Sequence, residues 1–145
     1  MKIDINGVSI TLTDEQLAEI ARQTNKFRSY KDIKTLEDAY KHLGKTLPDY
    51  TNTSLRKREI ALRHLEVVVE AIRSFTNWTP NFSDRNQSKW FTWFKVDCGF
   101  SYYDTSYFNT NTYVPSALYV ESDDQAKFLG ITFLDLFKDY LLNEK

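Results

Sequence analysis

Lys89-Trp90-Phe91-Thr92-Trp93-Phe94-Lys95, followed by Phe100-Ser101-Tyr102-Tyr103, is the stretch on which the fold turns. Aromatic residues stand at neighbouring positions in it, so strand alternation would place rings on both faces of a sheet. It lies within a wider segment, Phe75 to Tyr119, that holds fourteen of the chain's aromatic residues and all three tryptophans. Aromatic side chains favour a pleated, half-buried surface, and the pattern predicts two strands, Phe94 to Tyr102 and Thr112 to Val120, joined by the polar, aromatic stretch Tyr103 to Asn111. One face of such a pair packs on helices. The other is either more core or a surface for stacking.

Helices to cover this sheet are legible on both sides of it. Upstream, Ser54 opens the longest predicted helix, in which Ala61, Leu62, Leu65, Val68, Val69, Ile72 and Phe75 recur at helical spacing. Its opposite face alternates acids and bases, including Glu59 and Arg63 at i, i+4, which reads as a solvated, salt-bridged surface. Downstream, Ser122-Asp123-Asp124-Gln125 has capping-box spacing and starts a helix running to about Leu142. Its apolar residues, among them Phe128, Ile131, Leu134 and Leu141, are too many for one face, so the helix is buried on several sides or has a partner. Those four residues are candidates for self-association.

The N-terminal third begins as a hairpin followed by a helix. Asn6-Gly7 tolerates positive φ at both central positions of a type I′ turn, and it stands between Lys2-Ile3-Asp4-Ile5 and Val8-Ser9-Ile10-Thr11-Leu12, which alternate apolar and polar: a β-hairpin. Thr13-Asp14-Glu15-Gln16 is another capping box, opening a short helix with Leu17, Ile20 and Ala21 on one stripe. A further short helix is marked by Thr35 as N-cap, acids in its first turn and Gly44 as terminator. Leu47-Pro48-Asp49-Tyr50-Thr51-Asn52-Thr53 has linker composition. It is the candidate boundary between an N-terminal subdomain, residues 1–50, and a main body, residues 54–145, within what is otherwise a single domain.

Composition bounds the function classes. The chain has 145 residues, is 41% hydrophobic and 27% charged, and carries only four glycines and three prolines, which suits a folded globular domain. A net charge of −1 supplies no overall field to hold a polyanion. A single cysteine, Cys98, forbids an internal disulfide and fits a reducing, cytoplasmic setting; no apolar run is long enough to span a bilayer. Cys98, set between Asp97 and Gly99 in a predicted strand, reads as a small buried thiol rather than a nucleophile, since His42 and His64 belong to helices packed by other residues. One cysteine and two distant histidines make no zinc pattern, and the four scattered glycines make no phosphate loop, so no metal and no cofactor is expected.

The aromatic segment is then the one feature with functional content. Stacking on unpaired bases needs exposed rings and phosphate-binding cations, and Trp90, Trp93 and Tyr102 with Arg85, Lys89 and Lys95 form such a set. Ordinary aromatic burial explains the same rings as core.

Asn77-Trp78-Thr79-Pro80-Asn81-Phe82, followed by Gln87-Ser88-Lys89-Trp90-Phe91 and the capped helix from Ser122, resembles a pattern in small uncharacterised proteins of bacteriophages and mobile elements. These share a Trp-x-Pro-x-aromatic loop and a Gln-x-Lys-aromatic-aromatic step. The resemblance implies a phage-related setting in a bacterial host cell and brings no activity or site residues with it. The resulting expectation is an α+β fold: a small antiparallel sheet, made of the N-terminal hairpin and a later strand pair, packed with a long central helix and a C-terminal helix. The expected role is that of a non-enzymatic accessory protein acting through protein contacts or self-association, with single-stranded nucleic-acid binding as the alternative.

Overall fold

The structure is a computed structural model and describes residues 2–24, 27–110 and 116–142. It is α+β, and its core is organised around one helix, α3. Of the elements that precede α3, the hairpin strands β1 (Lys2–Ile5) and β2 (Val8–Thr11) pair antiparallel, Ile3 opposite Ile10 and Ile5 opposite Val8. Asn6 and Gly7 turn the chain with φ of 52° and 80°, as a type I′ turn requires. Helix α1 (Asp14–Thr24) is opened by reciprocal bonds: the Gln16 amide donates to Thr13 Oγ1 at 3.2 Å and the Thr13 amide to Gln16 Oε1 at 3.0 Å. No described side chain of residues 2–24 is buried.

Helix α2 (Leu36–His42) has a full capping box between Thr35 and Asp38 and buries Ala39 and Tyr40. Ile33 and Ala39 belong to the same buried cluster as Leu65, Val68, Val69 and Ile72 of α3 (Lys57–Ser74), so residues 47–53 connect two parts of one core. α3 starts three residues later than Ser54. The Thr53 hydroxyl accepts from the Leu55 amide at 3.2 Å, holding that stretch in a turn, and the Glu59 carboxylate accepts from the Arg56 amide at 2.8 Å, which sets the first helical turn. Ala61, Leu65, Val68, Val69 and Ile72 are buried, as their spacing predicts.

The later strand pair exists but is displaced along the chain from its expected place. β3 is Lys89–Lys95 and β4 is Ser101–Phe108, antiparallel, with Trp90 opposite Tyr107, Trp93 opposite Asp104 and a bulge after Trp93. The connection is residues 96–100, which the expected first strand ran through. Gly99 sits at φ 105°, and the Asp97 carboxylate accepts from the Cys98 amide at 3.0 Å, so Asp97-Cys98-Gly99 turns the chain rather than continuing a strand. Cys98 is accordingly exposed, not buried. The expected connector, Tyr103 to Asn111, is largely β4. Of the expected second strand, 112–115 lie outside the described residues and Ser116–Leu118 forms a 3₁₀ turn. Among its described residues only Val120 pairs, exchanging backbone bonds of 3.0 and 2.9 Å with Trp90. The two strand pairs are separate two-stranded sheets, not one shared sheet.

The C-terminal helix is two: α4 (Asp123–Thr132), capped by Ser122, and α5 (Leu134–Leu141), which meet at Phe133, φ −111° and ψ 30°. Across the break the buried residues keep to one stripe, and the other apolar residues of the two helices are partly covered or exposed. α4 buries Ala126, Leu129 and Gly130; Phe133 is buried at the joint; α5 buries Phe137, whose ring lies 4.7 Å from Phe94. α4 rests directly on the sheet at Gly130, where a Cβ would come within 2.3 Å of Thr92 Cγ2 and 3.1 Å of Tyr102 Cδ2. Thr92 Oγ1 donates to the Ala126 carbonyl at 2.7 Å across the same contact. No helix among the described residues is long and apolar enough to cross a membrane.

Candidate binding surface

The register of β3 and β4 sorts the aromatic residues into two layers. Trp90, Thr92 and Phe94, with Tyr107, Thr105 and Tyr102 opposite them, share the face on which α4 and α5 pack. Lys89, Phe91 and Trp93, with Phe108, Ser106 and Asp104 opposite, share the outward face. Phe91 and Phe108 stack at 4.9 Å with their planes 2° apart, and Trp93 leans on Phe91 at 5.6 Å. Tyr119, itself buried, closes one side at 6.0 Å from Phe91, and Phe82 from the preceding loop reaches it at 6.3 Å. Trp93 and Phe82 remain 51% and 47% exposed, so this outward cluster is a half-covered aromatic floor, not sealed core.

The loop that carries Phe82 is ordered by polar contacts. Arg73 at the end of α3 donates from Nε to the Tyr119 carbonyl at 2.6 Å and lies 5.5 Å from the Trp78 ring; burial lowers its pKa to about 10. Gln87 spans the loop, accepting from the Asn81 amide at 2.6 Å and donating to the Thr79 carbonyl at 2.9 Å. Lys89, expected to meet phosphate, is 0% exposed. Its ammonium donates to the carbonyls of Asp84, Gln87 and Asn109 at 2.9, 2.8 and 3.1 Å, beneath Phe82 at 5.8 Å. All three of its donors are used inside the protein, so it is a loop clamp and not a ligand-binding cation.

The other candidate residues scatter. Arg85 is exposed on the loop, and Lys95 is exposed with its ammonium 4.7 Å from the Tyr103 ring. Trp90 is half-buried against Tyr107 and the core, on the opposite face from Trp93. Tyr102 is half-buried under α4, and burial followed by the nearby Asp104 and Asp123 carboxylates raises its phenol pKa. The six residues proposed for base stacking therefore do not form one trough. Trp93 and Lys95 are accessible on the outward side, and Asp104 stands directly across from Trp93. Phe82, Phe91, Phe108 and Asp104 belong to the surface and were not singled out from sequence. The period-two alternation 89, 91, 93 opposite 104, 106, 108 carries that information once the turn at Gly99 is recognised.

Among the self-association candidates, Phe128 is spent largely inside, edge-on to Tyr30 at 5.3 Å. Leu134 is half-buried, while Ile131 and Leu141 are exposed. The histidines lie in the α2–α3 interface: the Tyr40 hydroxyl is 3.0 Å from His64 Nδ1, and His42 contacts Ser74 Oγ at 2.8 Å while stacking on Phe75 at 4.3 Å. Burial lowers the pKa of both. Among the described residues no group of three or more His, Cys, Asp or Glu side chains is placed to hold a metal ion. Compared with protein-family models, with curated proteins and with solved structures, the chain matches none.

Proposed function

We propose that this chain is a non-enzymatic accessory protein that binds a protein partner through the outward face of β3 and β4. The observation that carries this reading is the exposure of Trp93 and Phe82 over the stacked Phe91–Phe108 floor, with charges of both signs on the same strand pair: Lys95 beside Tyr103, and Asp104 across from Trp93. Rigid aromatic anchors surrounded by a mixed polar rim are the composition of protein interfaces, where a few large side chains carry most of the affinity. The setting, a bacteriophage or mobile element in the cytoplasm of a bacterial host cell, rests on the Trp78-x-Pro80-x-Phe82 and Gln87-x-Lys89-Trp90-Phe91 resemblance alone. The test is a photo-crosslinking side chain at position 93 in cells that carry the gene. A discrete protein adduct is expected from position 93 and none from position 63 on the solvated face of α3. No adduct, or the same adduct from both positions, refutes the assignment.

The exposed Trp93, Lys95 and Tyr103 group is the observation that favours single-stranded nucleic acid instead. Asp104 and the internal use of Lys89 weigh against it, because a phosphate chain crossing Trp93 would meet a carboxylate and lose its central cation. Titration of tryptophan emission with oligonucleotides at low salt separates the readings: a saturable change assigns the face to nucleic acid, and an unchanged signal leaves it to protein.

A further inference from the structure

The N-terminal hairpin is incomplete as a single copy. Two-stranded hairpins are marginal in water unless further strands or a packed face support them. Here the register places Ile3, Ile5, Val8 and Ile10 at positions of one face, yet Val8 and Ile10 are 62% and 42% exposed. Among the described residues the edge of β1 is bare as well. With the two-residue turn Asn6-Gly7, Ile5 and Val8 form a hydrogen-bonded pair, and so do Ile3 and Ile10 two positions on. The N–H and C=O groups of Lys2 and Asp4 therefore point away from β2. Among the described residues, no backbone bond outside the hairpin's own ladder engages either of them. β4 treats its outer edge differently: the Thr105 amide there is taken at 2.8 Å by the Asp104 carboxylate.

We infer that β1 pairs with β1 of a second copy of this chain, antiparallel about a two-fold axis at Ile3, to make a four-stranded sheet ordered β2-β1-β1-β2. The charge pattern selects both the occupant and the register. An axis at Ile3 sets Lys2 opposite Asp4 of the other copy, and Asp4 opposite its Lys2, at the positions whose backbone groups point outward. Complementary side chains and a full set of inter-chain main-chain bonds thus coincide. An axis at Asp4 would set two carboxylates against each other, and one at Lys2 two ammonium groups. Pairing through β2 would oppose Ser9 and Thr11, which carry no charge to specify a register. The assembly is isologous, so it closes at two copies and leaves β2 at each rim. The aliphatic face becomes continuous across both copies, which gives the hairpin the extra strands that its marginal stability calls for.

The experiment is sedimentation velocity on the full chain over a wide concentration range, comparing wild type with Lys2→Glu, Asp4→Lys and the double swap. Wild type should pass from one-chain to two-chain mass. Each single variant places two like-charge pairs in the sheet and should weaken dimerisation by about tenfold or more. The double swap restores opposite charges and should return dimerisation to within about threefold of wild type. Asp4 also accepts a hydrogen bond from Ser9 Oγ within its own hairpin, so an Asp4→Lys defect alone has a local explanation; the double swap removes it. A wild type that stays monomeric at the highest concentration overturns the inference. So does a dimer indifferent to the single variants, or a double swap as weak as they are.

Discussion

Replacing Lys89 by Met tests whether the Phe82 loop is held by a buried ammonium. The side chain is fully buried and its three donors meet the carbonyls of Asp84, Gln87 and Asn109. Methionine keeps most of the volume and removes the charge. Charge-assisted hydrogen bonds contribute about 1.5–3 kcal/mol each, so three represent roughly 5–9 kcal/mol gross. Against this, relief of ammonium desolvation returns several kcal/mol. The three carbonyls sit at the margin of a loop, where water can reclaim part of their bonding. The balance is a destabilisation of about 2–4 kcal/mol, or roughly 6–12 °C in Tm for a chain of this size. Urea unfolding followed by tryptophan emission measures it, with the slope m expected to be unchanged. Arg85→Met, four residues earlier on an exposed side chain, is the control and should fall within about 0.5 kcal/mol of wild type. A Lys89→Met protein as stable as wild type, or more stable, refutes the clamp and returns Lys89 to the pool of available cations.

Gly130→Ala should destabilise by about 1–3 kcal/mol, because the added methyl would meet Thr92 Cγ2 at 2.3 Å; Thr92→Ser in the same chain removes that atom and should recover part of the loss in thermal unfolding. Stability should fall on acidification below the ordinary histidine value of 6.5. Burial lowers the pKa of His42 and His64 in the folded state, so the unfolded chain binds more protons from 6.5 down to the folded values. The Tm should therefore drop between pH 7.5 and 5.5, and a His42→Gln, His64→Gln chain that keeps the same drop would contradict this origin. Tyr40→Phe removes the bond to His64 Nδ1 and should cost about 1 kcal/mol in urea unfolding. Trp93→Ala, on a side chain 51% exposed, should cost less than about 1.5 kcal/mol by the same assay while abolishing the crosslink from a reporter placed at Phe82.

Several local features are legible in the sequence because the residues that complete them are close along the chain. The Asn6-Gly7 turn, the capping box at Thr13, the N-cap at Thr35 and the apolar stripe of α3 are of this kind, since a turn or a cap is completed within four residues. The start of α3 was misplaced because Ser54 has the composition of an N-cap, while the Glu59 carboxylate bonds the Arg56 amide instead. The strand pair was misplaced because Asp97-Cys98-Gly99 lies among strand-forming residues. Its role as a turn depends on Gly99 taking a positive φ that composition alone does not require. The helix break at Phe133 was not legible either: no proline or glycine stands there, and Phe133 at the joint is buried in the main core.

The amino-acid order by itself determined the fold class, the hairpin, the helical faces and the concentration of aromatic residues in one segment, because each follows from periodicities of two or 3.6 and from turn chemistry. Only the tertiary structure decided which aromatic residues and cations are enclosed and which are exposed. Lys89 and Trp93 share one strand face, yet one is enclosed by the carbonyls of Asp84, Gln87 and Asn109 and the other faces outward across from Asp104. Whether a side chain is solvated or spent internally depends on groups brought together from 5 to 20 residues away and more. A periodic pattern specifies a face; the loops that fold over that face specify its accessibility.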